Sequence, residues 1–436
     1  MLAAGGYPFP YVDDPYYIGA GLNLGAGGGL ANPLLENTAH FYGYPPLYSF
    51  LMAGWLKLFG VSASSMVGLY LFMAWLGTLC VVRAFQILNK EFLGWMVAFG
   101  YITYLTCFGM RPDAFGLCFA AISFRSGVSG RPGVRYLSPL FAFLALGTLP
   151  ATLAIMIPWL IWLTATHRRM WMALLAGGAA AALVSCAMIK WQVGDFLSGL
   201  TVNNHVAQNE QTSWVKANWD APMGLIKIVY PVAGASLAIL LKGLRQKLQM
   251  IDALMLLSVL LCLYTILHTV SGHRIMGLIT LIVLGYYIES LVPSLLYSRI
   301  LVAANSLLII GSGLRPLVQG VTTQRTADGP ALLRKVESIH PSRIIVDEWS
   351  LRYVFDYHLR PGMIAVGFSA RPHGHEAKLS VKYPDECWVL SAESVKHYQA
   401  QQPHGIPIPR YVSIAGRQMG SWVSNAGEIG ISPPGQ

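Results

Sequence analysis

Between residues 46 and 313 the chain carries only seven acidic side chains: Glu91, Asp113, Asp195, Glu210, Asp220, Asp252 and Glu289. A stretch that apolar has one economical solution. Backbone N–H and C=O groups removed from water must pair with one another, and an α-helix pairs them within a single segment. Over the whole sequence 11% of residues are charged, against about 25% for a soluble globular domain. The deficit ends at residue 314, after which ten acids occur. The pattern predicts a helical membrane region over 46–313 and a water-soluble domain over 314–436.

The first 45 residues contain no Lys or Arg and are rich in Gly, Tyr, Pro and Asn. They lack the basic start and compact apolar core of a signal peptide. Within them, 15–30 predicts a short surface helix that stops at Gly27-Gly28-Gly29. The run 46–60 is too short to span, and Trp55, Lys57 and Phe59 suit a helix lying along a membrane interface. Apolar runs follow at about 64–88, 92–110, 112–124, 136–149, 151–166, 170–190, 223–241, 251–270, 275–292 and 296–313. They read as about ten spans, or as fewer if the two runs flanking Pro150 form one bent hairpin.

Charge gives these runs an orientation. One set of alternate loops (89–91, 125–135, 167–169, 242–250, 293–299) holds Lys90, Arg125, Arg131, Arg135, Arg168, Arg169, Lys242, Arg245, Lys247 and Arg299. The other set (109–111, 149–150, 191–222, 271–274) holds Arg111, Lys216 and Arg274. The positive-inside rule assigns the first set to the cytoplasm. Residues 1–45, the 191–222 loop, the 271–274 turn and the tail then share the outer face. The same distribution argues against nucleic acid as a partner, because the net charge of +10 sits in short loops rather than on one basic face.

In the tail, 342–347, 363–368 and 387–390 predict short buried strands, and 331–339 and 349–357 predict helices, which makes a small α/β domain. Beyond about 416 the Gly, Ser and Pro content predicts disorder. The six cysteines show no CxxC spacing, so neither a zinc site nor a redox pair is indicated.

Two adjacent carboxylates, Asp13 and Asp14, stand at the mouth of the bundle. A carboxylate there can act as general base on an acceptor hydroxyl, or hold a divalent cation or a sugar hydroxyl. Asp before Pro is also a helix N-cap and turn signal. The run Asp13-Asp14-Pro15-Tyr16-Tyr17, followed by Tyr44-Pro45-Pro46-Leu47-Tyr48 and Trp55-Leu56-Lys57-Leu58-Phe59-Gly60, resembles the first outer loop of GT-C glycosyltransferases. It is most similar to bacterial members related to protein O-mannosyltransferases and to the aminoarabinose transferase of lipid A. Two further stretches add to the likeness: Arg111-Pro112-Asp113-Ala114-Phe115, and Pro158-Trp159 through Asn204-His205.

The resemblance covers about 10–290 and implies a multi-pass enzyme of the bacterial plasma membrane acting on its outer face. The donor would be a polyprenyl-phosphate sugar, and the acceptor a glycan, lipid or protein hydroxyl. It places the catalytic acid on Asp13 or Asp14. Substrate binding falls on Asp113, Arg111, Arg274, His205 and Tyr44. The resemblance fixes no cofactor, and a divalent metal stays open through His205; Gly43 and Tyr44 stand where relatives carry its acidic partner. Family members have a span before the acidic loop, so a first span upstream of Met1 is expected. Arg274 lies in Ser271-Gly272-His273-Arg274, a tight turn suited to a phosphate. His268 reads as structural, Asp252 as an N-cap, and Glu289 falls outside the site. Two other classes compete with the enzyme: a lipid or solute transporter without glycosyl transfer, and a structural membrane subunit.

Overall fold

The computed structural model describes residues 14–25, 27–30, 45–60, 63–107, 111–198, 222–268, 272–292, 294–307 and five strands of the tail. The molecule is mostly helical. Helix α1 (Asp14–Gly25) stops where Gly27 turns to φ +90°, and the Gly28 N–H donates back to the Asn23 carbonyl at 2.9 Å. Only glycine adopts that backbone without strain, so the triple-glycine break sets the end of the helix. Helix α2 (Leu47–Phe59) buries Tyr48, Ser49, Met52, Ala53 and Leu56 along one face and leaves Leu58 and Phe59 exposed. That spacing is the amphipathic stripe of a surface helix. Its buried face packs on α1, with Met52 against Gly21, and on α3.

Helices α3 (Ala63–Ile87), α4 (Glu91–Cys107) and α5 (Asp113–Gly127) follow. Asn89, at φ +56°, turns the chain from α3 into α4. Next come the one-turn α6 (Pro132–Arg135), α7 (Ser138–Leu146), a 3-10 turn at Pro150–Thr152 and α8 (Leu153–Thr166). Beyond α9 (Met170–Met188) there is a short α10 over 193–198. The set ends with α11 (Pro222–Arg245), α12 (Met250–His268), α13 (Gly272–Leu291) and α14 (Leu295–Leu307).

Among the described residues two helices are long and apolar enough to cross a membrane, Ser65–Ile87 and Met170–Met188. Other apolar helices are shorter by that measure over the described residues, so some membrane-grade helices are present and the count of about ten spans stays an expectation. The cause of the shortness is plain in 112–166. Pro132, Pro139 and Pro150 each begin a new piece, because proline cannot donate to the preceding turn. Helix α7 has only nine residues, about 13 Å of rise. The two runs around Pro150 are therefore one bent hairpin, α7 and α8. A reciprocal lock ties α5 to α7: Ser123 Oγ donates to the Ser138 carbonyl and Ser138 Oγ to the Ser123 carbonyl, both at 2.8 Å. From α8, Trp159 Nε1 donates to both hydroxyls, at 3.2 and 3.1 Å.

In the tail, strands β1 (Arg343–Asp347), β2 (Ile364–Phe368), β3 (Glu386–Ser391), β4 (Tyr411–Ile414) and β5 (Gly430–Ser432) form one sheet in the order β2-β1-β3-β4-β5. The first four are parallel and β5 is antiparallel to β4, with Val412 opposite Ile431. The disorder expected beyond 416 is thus corrected at 430–432, where the backbone pairs with the otherwise open edge of β4. The helices expected at 331–339 and 349–357 lie outside the described residues.

Gly127 provides a test of packing at the serine–tryptophan lock. A Cβ there would strike the Trp159 ring and come within 3.1 Å of Ser138 Oγ, whereas one at Gly130 would meet nothing within 4 Å. Gly127→Val is expected to destabilise the chain by about 1–3 kcal/mol through overpacking, and Gly130→Ala to change little. Thermal unfolding of the full chain in detergent, followed by tryptophan fluorescence, measures both.

Candidate functional site

Contacts between helices define two ends of the bundle. Gly94 of α4 packs against Phe85 of α3, and Gly77 of α3 against Tyr101 of α4, so these helices run antiparallel. Gly100 of α4 faces Leu281 of α13, and Gly285 of α13 faces Leu93 of α4, which makes that pair antiparallel too. One end therefore gathers the 88–90 turn and the close of α13. The other gathers the close of α4 and the start of α13.

At the first of these ends the cations predominate. Lys90 Nζ bonds Glu289 Oε2 at 2.8 Å and lies 4.8 Å from the centre of the Tyr286 ring. Lys242 Nζ reaches both oxygens of Asp252, at 2.8 and 3.0 Å, with the two residues only 5% and 1% exposed. Tyr287 Oη donates to Asp252 Oδ1 at 2.6 Å, and the Gln249 N–H donates to Oδ2 at 2.7 Å. Asp252 is the third residue of α12, so its carboxylate reaches back to the residue before the helix, as in a capping box. This replaces the N-cap expected for it. Arg135 spans the α5–α6 and α8–α9 connections: Nη2 donates to the Ser129 carbonyl at 2.6 Å and Nη1 to His167 Nδ1 at 3.3 Å. Desolvation and the Arg135 charge hold the His167 pKa below the usual imidazole value.

The opposite end carries the residues singled out from the sequence. Asp14 is the first residue of α1, Asp113 the first of α5, and Arg274 the third of α13. One apolar cluster includes Ile18 of α1, Tyr48 of α2, Phe115 of α5, Leu149 and Ala151 of the α7–α8 bend, and Ile275 of α13. The Tyr48 and Phe115 rings meet edge to face at 4.9 Å. Each candidate thus lies within about one helical turn of a residue in the same cluster. For Asp14 and Arg274 the backbone alone is described. Asp113 is 5% exposed and Arg111 2%, so both charges are enclosed by protein. Arg111 was expected to help bind a phosphate; at 2% exposure its guanidinium meets one only through a local opening. Asp13, Tyr44 and His205 lie outside the described residues. Glu289, left out of the site on sequence grounds, is bonded to Lys90 at the other end.

The arrangement suits electrostatic work. A helix start presents unpaired N–H groups and a positive dipole end, and the starts of α1, α5 and α13 all lie toward this end. Among the described residues no three His, Cys, Asp or Glu side chains gather as a metal site. Comparison with protein-family models, with curated proteins and with solved structures returns no match. The site therefore rests on its own geometry. Sequence reasoning missed the Lys242–Asp252–Tyr287 network. Its one local signal was an acid three residues after Gln249 at the start of an apolar run; nothing in the spacing joined it to Tyr287.

Two expectations follow from the basic end. Asp252→Ala leaves the Lys242 ammonium buried without its partner and is expected to cost about 3–5 kcal/mol. Combining it with Lys242→Met is expected to restore most of the lost stability, read as the unfolding midpoint of the single and double variants. For His167 the folded state resists protonation, so the unfolded chain takes up the proton first as pH falls. The contribution is present above the unfolded value near 6.5 and is lost as pH drops through the lower folded value. Melting temperature is expected to fall modestly from pH 7.5 to 5.5, and to fall less in His167→Gln, whose amide oxygen can still accept from Arg135.

Proposed function

We propose that the chain is a membrane-embedded, GT-C-like glycosyltransferase that moves a sugar from a polyprenyl-phosphate donor to an acceptor hydroxyl. In this reading it is a polytopic bundle with an outer-face α/β domain formed by the tail. The observation that carries the proposal is that the starts of α1, α5 and α13, with Asp14, Asp113 and Arg274, lie toward the end opposite the cation-rich turns. A bilayer setting is supported by α9, whose Trp171, Met172, Leu175 and Leu183 are exposed on a helix with almost no polar face. In water such a surface would aggregate. The positive-inside rule then puts the Lys90, Arg135 and Lys242 end in the cytoplasm and the acidic end outside.

The donor enters from the lipid, and its phosphate is held at the start of α13 near Arg274. A guanidinium and a helix N-terminus both favour a phosphate. Asp13 or Asp14 orients and deprotonates the acceptor hydroxyl, which attacks the anomeric carbon. Negative charge growing on the departing lipid phosphate is stabilised by the same cation and dipole. Displacement in one step inverts the anomeric centre, as the resemblance implies. The acceptor is a glycan, a lipid such as lipid A, or a protein hydroxyl.

One feature favours a second reading, transport without chemistry. The 3-10 break at Pro150–Thr152 and Pro158 within α8 interrupt the helices in the way that substrate paths often do. Purified chain reconstituted in liposomes with a radiolabelled polyprenyl-phosphate sugar distinguishes the two. The enzyme transfers label to a water-soluble or lipid acceptor. Asp13→Asn or Asp14→Asn, whichever carries the base, is expected to lower transfer by about 10²–10⁴-fold. Full transfer by the double variant would remove the proposal. Movement of intact donor across the bilayer, with no cleavage, would establish the transporter instead.

A further inference from the structure

A groove of about 330 Å³ runs between α11 and α13, away from the candidate catalytic end. Its walls come from Gly234, Leu237 and Leu241 of α11 and from Ile288 and Leu291 of α13. Its one charged lining residue is Arg245. The guanidinium Nη1 donates to the Leu291 carbonyl at 3.2 Å, which fixes it across the groove while Arg245 remains exposed. Arg has five N–H donors, so four are left for another ligand. At the deep end Gly234 lets Leu284 approach: a Cβ there would lie 3.4 Å from a Leu284 methyl.

We propose that this groove binds one acyl chain of an anionic phospholipid, with the phosphate on Arg245. Three observations select that occupant. The eleven helical steps from Gly234 to Arg245 rise about 16 Å, about the depth of one leaflet in a hydrocarbon core of roughly 30 Å. Apolar lining is confined to that depth and the cation sits at its rim, which is the polarity of a phospholipid. Finally, the acids nearest the groove, Asp252 and Glu289, are already held by Lys242 and Lys90, and Glu91 accepts from Gln86 at the start of α4, so Arg245 and the exposed Lys247 present a positive rim. A second copy of the chain would bring the same cations against themselves, whereas an anionic headgroup complements them.

The inference rests on the membrane-embedded reading above, and not on glycosyl transfer. Full-length chain in detergent is titrated with phosphatidylglycerol or with phosphatidylcholine of the same acyl chains, and retained lipid is counted by native mass spectrometry. Phosphatidylglycerol is expected to bind at about tenfold lower concentration, the effect of one charge-assisted contact. Arg245→Gln is expected to abolish that preference. Arg245→Lys keeps part of it, and Arg168→Gln, which removes an exposed cation elsewhere at this end, leaves it intact. Equal binding of the two lipids by the unaltered chain overturns the proposal, as does a preference that survives Arg245→Gln. Release of the chain from membranes by alkaline carbonate would remove the membrane reading and this site with it. Retention in the membrane with no lipid preference removes this site alone.

Discussion

Close approach of helix backbones at glycine is the constraint on which the bundle depends. Tyr101 sits over Gly77, Phe85 over Gly94, Leu281 over Gly100 and Leu93 over Gly285, so α3, α4 and α13 interlock through missing side chains. Leu149 fits over Gly116 and Trp159 over Gly127 in the same way, joining α5 to the α7–α8 bend. Where the surroundings are as apolar as the side chains, the hydrophobic effect supplies little attraction between helices. Dispersion contacts at small residues then take its place. Each glycine is a position where added volume has nowhere to go, and together they fix which helices are neighbours.

That lattice of contacts sorts the charged residues. Antiparallel pairing of α3 with α4, and of α4 with α13, leaves Lys90, Glu289, Lys242 and Asp252 at one end, where they neutralise one another in pairs. The starts of α1, α5 and α13 fall at the other, with acids and an arginine that sequence alone had assigned to a common face. The proposed catalytic and lipid sites therefore occupy opposite ends, and a substitution at one has no direct contact with the other.

Much of the helical layout was legible in the sequence because each apolar run was bounded by a visible stop. Gly27 closes α1, and Asn89 and Lys90 divide α3 from α4. The segments expected as strands near 342–347, 363–368 and 387–390 coincide with β1, β2 and β3. What was not legible depended on partners distant in sequence. Periodicity shows no reason for Asp252 to meet Tyr287, 35 residues on, or for Ser123 and Ser138 to exchange hydrogen bonds. The breaks at 125–135 and Pro150 were visible in the sequence; that Pro139 lies in the first turn of a helix of only nine residues was not, because the apolar run of 136–149 continues past both ends of that helix. Within the candidate site, the sequence named residues that fall at the starts of α1, α5 and α13; the near-complete enclosure of Arg111 needed the packing of its neighbours.

The short helix α7 has a consequence for how such a chain is made. A segment of nine residues reaches less than half the thickness of a bilayer core and cannot be handed to the lipid by itself during synthesis. Its neighbours must arrive with it. The exchanged serine hydrogen bonds and the tryptophan that caps them join α5, α7 and α8. In the membrane setting proposed above, this polar lock, close to the basic end of α5 and the start of α7, would tie a helix too short to span to two longer neighbours.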